Sequence, residues 1–296
     1  MTGAHAAVTR ELLVRYLDAV TPAVLHHAKR FTYAEAYAGP PPDGEPAVVA
    51  ALRVFGEFTD LLPGRRLDVL LVDADPALRS AAERAVADLD SPAGLRLATA
   101  DGPLPDALAG AVKAPLVVYL DALGGPGPDD DTLDALATGP QTDLLMALDR
   151  GAPRREALTA GGFRAVVHVE LVDAAGLARE LYFASTAARN LDRFKDALWA
   201  VDEFAGVRYR DPVDPDRAPL DISLRPHLGP LRRALLARLR AGGPSDVAAL
   251  REYARTHTIY RAADATRALT ALLSAAAVRR EPDRGRLAAD TVIHLP

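Results

Sequence analysis

Residues Pro115 to Asp121 read PLVVYLD, an apolar run that closes on an acid. A short run that is apolar at successive positions is typical of a strand covered on both faces. Leu67 to Asp73 reads LDVLLVD and shows a similar run, again closed by an aspartate. These two stretches predict central strands of a parallel sheet whose faces are both buried.

Predicted strands and helices alternate on either side of these two runs. The helices predicted from periodicity and proline placement are Glu11–Arg30, Ala47–Leu62 and Pro76–Leu89. The predicted strands are Phe31–Tyr37, Leu67–Val72, Leu95–Thr99, Pro115–Leu120 and Asp143–Leu148. Phe163–Leu171 and Arg179–Ser185 are predicted to form an antiparallel pair. This layout predicts an α/β fold with a doubly wound, Rossmann-like sheet that ends in an antiparallel strand pair.

A second, smaller unit is predicted after residue 210. A helix at Leu191–Glu203 is followed by the proline-rich segment Asp211–Pro226, across which we expect few contacts. Three short helices come next, at Gly229–Arg240, Ser245–Arg255 and Ala262–Ser274, with a hairpin candidate between Val278 and His294, which is the plan of a winged helix-turn-helix domain. The predicted domains are therefore residues 1–210, a linker at 211–226, and residues 227–296.

Composition excludes several classes of site. The 296 residues are 49% hydrophobic and 25% charged, as in globular proteins, and they include no cysteine. Disulfides, thiolate metal sites and cysteine nucleophiles are thereby excluded, and the seven scattered histidines predict no metal site. No secretory signal or membrane span is recognised at the start or elsewhere, so we expect a cytoplasmic protein.

Charge divides unevenly along the chain. Residues 225–296 contain 13 arginines and six acids, a balance of +7, so the rest of the chain carries −12 of the total of −5. The basic C-terminal part could approach phosphate, or its arginines could simply solvate helices.

Four acids stand in or just after the predicted strands. They are Glu35, Asp73, Asp101 and Asp121. In an open α/β sheet, ligands bind beyond the carboxyl ends of the strands, where such acids can accept hydrogen bonds from ribose hydroxyls and an adenine amine. Taken singly, such an acid is more simply a helix cap, as Asp73 or Asp75 could be ahead of Pro76. The four together favour a nucleoside site, and the absence of G-x-x-x-x-G-K-[ST] argues against a phosphate loop.

Three stretches resemble one family. They are YAEAYAGPPPDGEPAVVAAL from Tyr33, VVYLDALGG from Val117, and LYFASTAARNLDRFKDALWAVD from Leu181. In order and spacing they are similar to the motifs of the three-Cys-motif partner proteins, and the part after Leu224 resembles the winged helix that ends those proteins. Glu35, Tyr37 and Gly39 stand at the acid, the aromatic and the glycine of the family's first motif.

The resemblance implies a class I S-adenosylmethionine-dependent methyltransferase-like domain fused to a winged helix. It also implies association with a separately encoded three-cysteine-motif protein of radical-enzyme type. S-adenosylmethionine would then be bound by Glu35, Tyr37, Gly39, Asp73 and Asp101, with Asp121 facing the methyl acceptor. The chain departs from the family at Pro41, where a glycine is expected, and at Ala122 and Leu123, where proline and an aromatic are expected. Proline removes an N–H and fixes φ, which weakens the case for close backbone approach to a cofactor.

Two other functions remain open at this point. One is a non-catalytic binding module with a degenerate cofactor pocket, and the other is a DNA-binding regulator with a ligand-sensing domain. Binding of nucleic acid by the winged helix is not expected to be tight. Lys195 and Trp199 share a helix face, and a packed tryptophan beside a solvated lysine is favoured over a substrate contact.

Overall fold

The computed structural model describes residues 3–37, 44–89, 92–123, 125, 127–149, 151, 154–202 and 206–296. Within these residues a sheet of nine strands forms the centre of the molecule. The strands are β1 (Arg30–Ala36), β2 (Arg66–Val72), β3 (Leu95–Ala100), β4 (Leu116–Ala122), β5 (Thr142–Asp149), β6 (Ala165–Val172), β7 (Ala178–Ser185), β8 (Arg208–Arg210) and β9 (Pro219–Leu220).

The strand order is β3-β2-β1-β4-β5-β7-β6-β8-β9. The first five strands in this order are mutually parallel, and β7 lies antiparallel to both β5 and β6. The order reverses between β1 and β4, which is the switch point of a doubly wound sheet. The predicted Rossmann-like sheet with its terminal antiparallel pair is confirmed.

Helices cover both faces of the sheet. One face packs against α1 (Gly3–Leu25), α2 (Ala47–Gly56), α3 (Pro76–Asp88) and α7 (Asn190–Ala200). The other face packs against α4 (Leu104–Leu108), α5 (Asp130–Ala137) and α6 (Arg155–Ala160). A 3-10 turn at Thr59–Leu61 follows α2.

The predicted central strand β4 shows why both faces are covered. Val117 and Tyr119 join the core under α1, α2 and α7, whereas Val118 and Leu120 join the core under α4 to α6. Successive side chains of a strand point to opposite faces, so an unbroken apolar run needs helices on both sides. Burial of this run is one source of the hydrophobic stabilisation of the fold.

The chain after residue 228 forms three helices and a small sheet. These elements are α8 (Gly229–Gly242), β10 (Ser245–Asp246), α9 (Val247–His257), α10 (Ala262–Ser274), β11 (Arg279–Glu281) and β12 (Val292–His294). The strands pair antiparallel in the order β10-β12-β11.

Helix α7 holds these C-terminal elements against the sheet. Trp199 is buried and donates its indole N–H to the carbonyl of Ile259 at 3.0 Å. Lys195 is 0% exposed, and its Nζ donates to the carbonyls of Ala254, Thr258 and Tyr260 at 3.0, 2.8 and 2.5 Å. The packed tryptophan is confirmed, but the solvated lysine is wrong, because the end of α9 presents carbonyls that need donors.

Contacts also cross the proline-rich segment at 211–226, contrary to the expectation that few would. Strands β8 and β9 flank or lie in this segment and extend the main sheet beside β6. Asp211 is buried and its carboxylate accepts from the main-chain N–H of Ile259 at 3.1 Å. Asp214 pairs with Arg233 of α8 at 2.8 Å. The acidic, proline-rich composition of this segment indicated a free linker. Instead, its buried aspartates hold the segment to Ile259 and to α8. The domain boundaries themselves stay predictions.

Candidate functional site

The carboxyl edge of β1 and β4 carries two of the predicted site residues. In the parallel register Glu35 of β1 lies opposite Tyr119 of β4, and Asp121 lies two residues further along β4. Because side chains alternate along a strand, Glu35, Tyr119 and Asp121 point to the same face of the sheet. This is the face covered by α1 and α2, at the point where the strand order reverses.

Glu35 is a buried carboxyl group with one satisfied oxygen. The side chain is 1% exposed, and its Oε2 accepts a hydrogen bond of 2.7 Å from the hydroxyl of Tyr33. Its Oε1 is buried without a hydrogen-bond partner among the described residues. Burial raises the pKa of Glu35 to about 8, the Tyr33 hydroxyl opposes the rise, and the charge of Asp121 adds to it. At neutral pH the carboxyl is therefore protonated unless a cation lies beside it.

Asp121 repeats this arrangement on the neighbouring strand. The hydroxyl of Tyr119 lies 3.5 Å from its Oδ2, and its Oδ1 is buried with no donor in the described part of the chain. Burial raises the pKa of Asp121, against the effects of the Leu123 N–H, the Tyr119 hydroxyl and the Arg179 charge. Two buried acceptor oxygens without donors at one sheet edge fit a ligand that brings donors or positive charge.

Basic side chains from distant parts of the chain reach the same region. Arg179 of β7 forms an ion pair with Asp149 at the end of β5 and acts on Asp121 through its charge. Arg10 of α1 donates to the carbonyl of Glu45 at 2.9 Å, and its charge is felt at Tyr119. The sequence analysis missed both arginines, since they lie far along the chain from the strand-end acids and have no local pattern.

Tyr33 and Tyr119 were also missed, although a signal for them exists. Each tyrosine stands two residues before a strand-end acid, in the patterns Y-x-E at Tyr33–Glu35 and Y-x-D at Tyr119–Asp121. A two-residue step in a strand places both side chains on one face, so the repeated pattern predicts a hydroxyl beside each carboxyl.

Asp73 lies at the end of β2 in a strained conformation. Its φ is +48°, a left-handed value that is uncommon for a residue other than glycine. Its Oδ1 accepts from the N–H of Gly102 at 3.0 Å, which ties the end of β2 to the loop after β3. The helix-cap role weighed for this position belongs instead to Asp75, whose Oδ1 accepts from the N–H of Ala77 at 2.7 Å. Asp73 is therefore free of that structural role.

Asp101 lies at the end of β3 and is already paired. Arg79 of α3 donates to its Oδ1 at 2.5 Å, and the Asp101 side chain is well exposed. A nucleoside amine could reach this carboxylate only beside Arg79 or in its place.

Tyr37 follows β1 directly and has a left-handed backbone conformation. It has a φ of +61° and is 46% exposed, a large aromatic side chain open to solvent. The charges of Asp129 and Asp73 help burial to raise the pKa of its hydroxyl, so these two acids lie near it. Left-handed residues at the ends of both β1 and β2 cost free energy, and such strain is concentrated at ligand sites. Gly39 and Pro41 lie outside the described residues.

No family model matches this chain, and no curated protein matches it. Among solved structures it is similar to class I methyltransferases. One is a putative class I S-adenosylmethionine-dependent methyltransferase from Listeria monocytogenes, with 15% identity, a TM-score of 0.36, and coverage of 60% of this chain and 59% of that chain. Another is the N-terminal domain of human METTL16 in complex with SAH, with 13% identity, a TM-score of 0.35, and coverage of 59% and 67%.

A third is a predicted O-methyltransferase from Agrobacterium tumefaciens, with 13% identity, a TM-score of 0.33, and coverage of 59% and 79%. The chain spans 42% of the length of a further match, EvdMO1. At such low identity and TM-score these matches say nothing about the chemistry of the site.

The described residues contain neither a metal-binding cluster nor a membrane-spanning helix. No group of three histidine, aspartate or glutamate side chains in the described ranges is placed to hold a metal ion. No helix in the same ranges combines the length and the apolar character that crossing a membrane requires.

Proposed function

We propose that this chain is an S-adenosylmethionine-dependent methyltransferase-like protein that binds its cofactor at the carboxyl edge of β1 and β4. The observation that carries the proposal is a pair of carboxyls at the switch point of the sheet, the buried Glu35 and the half-buried Asp121, each with a buried oxygen that has no donor among the described residues. S-adenosylmethionine supplies an electrophilic methyl group, and its sulfonium and ammonium groups bring the positive charge that these carboxyls lack.

The predicted site residues fit this cofactor to different degrees. Glu35 fits a cationic group, since a nearby positive charge would lower its raised pKa and ionise it. Asp73 is exposed at the end of β2 and can accept from a ribose diol while it keeps its bond to Gly102. Tyr37 offers an exposed ring at the end of β1. Asp101 fits only if its carboxylate can accept from the cofactor and from Arg79 together. Gly39 is included solely because of its place in the family motif.

Asp121 is assigned to the methyl acceptor. Its raised pKa and partly buried position suit a carboxylate that takes a proton at Oδ1 from an acceptor as that acceptor becomes a nucleophile. Helix α1 and the buried Tyr33 and Tyr119 keep water from Glu35 and from one oxygen of Asp121, which strengthens charge interactions at these atoms. Rate enhancement would come from positioning and desolvation.

The C-terminal elements support a winged helix in this proposal. They occur in the order helix, strand, helix, helix, strand, strand. Arg261 and Arg267 flank or lie on α10, and both guanidinium groups pair with the buried Asp264, at 3.1 and 2.6 Å. Arginines neutralised in this way are poorly suited to reading DNA, so we assign this unit to a protein contact. The separately encoded three-cysteine-motif protein stays the proposed partner.

A non-catalytic binding module is the second candidate. The observation that favours it is the Arg79–Asp101 pair, which occupies the acid that an adenine amine would need. The departures from the family motif at Pro41, Ala122 and Leu123 point the same way.

Calorimetric titration with S-adenosylhomocysteine tests the proposal. We expect the wild-type chain to bind, and we expect Asp73→Ala to weaken binding by about 1–3 kcal/mol through lost hydrogen bonds to a charged acceptor. Asp88→Ala, an exposed aspartate at the far end of α3, is the matched control and should bind as the wild type does.

Failure to bind S-adenosylhomocysteine, with the fold intact by circular dichroism, would refute the cofactor site and leave the binding module. Unchanged affinity in Asp73→Ala would remove that residue from the site.

A further inference from the structure

A cavity lies at the amino-terminal edge of the sheet, opposite the edge that carries Glu35 and Asp121. Its volume is about 540 Å³, and it opens between the last turns of α1, the residues just before β4 and β5, and the start of α7. Glu35 and Asp121 lie at the carboxyl ends of β1 and β4, whereas this cavity lies at their amino ends. The cavity is therefore separate from the proposed cofactor site. Its volume falls within the range of small-molecule sites.

The lining is cationic on one side. Arg189, Arg193 and His27 line the cavity, and no aspartate or glutamate does so in the described ranges. The polar contacts of the two guanidinium groups are to amide oxygens: Arg189 donates to Oε1 of Gln141 at 2.9 Å, and Arg193 donates to Oδ1 of Asn190 at 2.7 Å. Neither arginine forms a direct ion pair with a carboxylate within the described part of the chain, although the charge of Arg189 acts on the buried Asp143.

A series of hydrogen bonds links Arg193 through Asn190 to the buried core. Asn190 is buried and donates through its Nδ2 to Oδ2 of Asp143 at 2.7 Å. Asp143 is itself buried and also accepts from the hydroxyls of Tyr16 at 2.7 Å and Ser185 at 2.5 Å. Arg193 is thus oriented by an amide that the core holds in place, an arrangement typical of a preorganised site.

The other side of the cavity is apolar. Val20, Ala23 and Val24 of α1 face Pro115, the residue that precedes β4. A ligand that filled the cavity would therefore meet guanidinium groups at one end and hydrocarbon at the other.

We propose that this cavity binds a small oxyanion, a phosphate or carboxylate group, carried on an apolar skeleton. Guanidinium groups recognise such oxyanions through paired N–H donors, and Arg189 and Arg193 can each keep an amide contact while they donate to a ligand. The apolar wall selects esters and aromatic acids over the bare ion. Since the cavity lies away from the strand-end acids, its ligand is not the methyl acceptor.

Calorimetric titration of the full chain with phenyl phosphate, benzoate, inorganic phosphate and benzyl alcohol tests this assignment. We expect phenyl phosphate or benzoate to bind more tightly than inorganic phosphate, and benzyl alcohol not to bind. Arg189→Gln and Arg193→Gln should each weaken binding of the tighter anion by roughly ten- to hundred-fold, the effect of a lost charged hydrogen bond. The matched control is Arg96→Gln, which removes one exposed arginine from β3 at the far edge of the sheet.

A variant that leaves the charges in place provides an independent check. Ala23→Phe fills the apolar side, and it should abolish binding of phenyl phosphate while circular dichroism stays that of the wild type. Absence of binding by the wild-type chain would overturn the proposal, as would equal losses in Arg96→Gln and Arg189→Gln. Binding of inorganic phosphate as tight as that of phenyl phosphate and benzoate would overturn the assignment of the apolar wall.

Discussion

At the scale of single residues, Glu35 shows how a strand position sets acidity. β1 places this carboxyl beneath α1 and α2, where water cannot solvate its ionised form. The Tyr33 hydroxyl supplies one donor, which opposes the rise of the pKa without cancelling it. Ionisation of Glu35 is therefore favoured only when positive charge arrives, which links its proton to ligand binding.

Glu35→Gln should make the protein more stable than the wild type above about pH 5. Because the folded pKa is raised from 4.5 to about 8, the folded state holds a proton that the unfolded chain releases between these pH values. Stability of the wild type therefore falls as pH rises through this window and levels off above it. The amide keeps an acceptor for Tyr33 and has no proton to lose.

Thermal denaturation followed at pH 5, 6, 7 and 8 measures this effect. We expect the Tm of Glu35→Gln to exceed that of the wild type by a margin that grows across the series by at least about 2 °C. The exposed Glu57→Gln is the matched control and should show a constant difference. A difference for Glu35→Gln that does not change with pH would show that this carboxyl is already ionised.

Residue patterns predicted one half of the candidate site and could not predict the other. Asp121 was predicted because it closes an apolar run, and Glu35 because it lies near the end of the first predicted strand; the end of a parallel strand fixes the sheet edge on which an acid lies. Arg10 and Arg179 could not be predicted, since they reach this edge from α1 and β7. Their position depends on how the helix and the antiparallel strand pack, which no local spacing encodes.

At the scale of elements, α7 connects the sheet to the C-terminal helices. Its Lys195 places an ammonium group where three carbonyls at and beyond the end of α9 converge. Burial lowers the pKa of Lys195 to about 7, with the charge of Asp211 acting in the opposite direction. The three carbonyls lie in a buried interface, so no water replaces the donor if it is removed.

Lys195→Ala should therefore destabilise the protein by about 3 kcal/mol or more, because each buried carbonyl left without a donor costs about 1–3 kcal/mol. Chemical denaturation measures this change. Lys113→Ala, at an exposed lysine, is the matched control and should change the free energy of unfolding by less than about 0.5 kcal/mol. A loss of similar size in both variants would show that the three carbonyls contribute nothing through Lys195.

Element prediction succeeded where a pattern was long. The periodicity of α10 predicted its bounds, Ala262–Ser274, and apolar runs located the strands of the parallel sheet within a few residues. Strands β8 and β9 were missed, because three and two residues are too few to show alternation. β8 pairs with β6, which lies more than 35 residues earlier in the chain, and β9 in turn pairs with β8, so the pairing depends on a distant strand.

At the scale of the whole molecule, the segment at 211–226 is held to the sheet and to the C-terminal helices more firmly than its composition indicates. Asp211 accepts from the N–H groups of Ile259 and Val213, and it lies in the same buried interface as Lys195. Arg217 is held by Glu170 of β6, which also pairs with Arg210. A protease must open these contacts before it can bind the chain here.

Limited trypsin digestion should therefore leave the wild type uncut after Arg210 and Arg217, whereas Asp211→Ala should be cut there. The substitution leaves the buried N–H of Ile259 without its acceptor, at about 1–3 kcal/mol, and also removes the acceptor of the N–H of the exposed Val213. When opening and closing are fast compared with cleavage, the cleavage rate follows the population of the open form, so each 1.4 kcal/mol gives about a tenfold faster cut. Asp221→Ala is the matched control, because it removes a carboxylate from the same segment but only an exposed ion pair with Arg208. Fragments ending at Arg210 or Arg217 from the wild type, at the rate seen in Asp211→Ala, would show that the segment opens freely and that the C-terminal unit is tethered rather than docked.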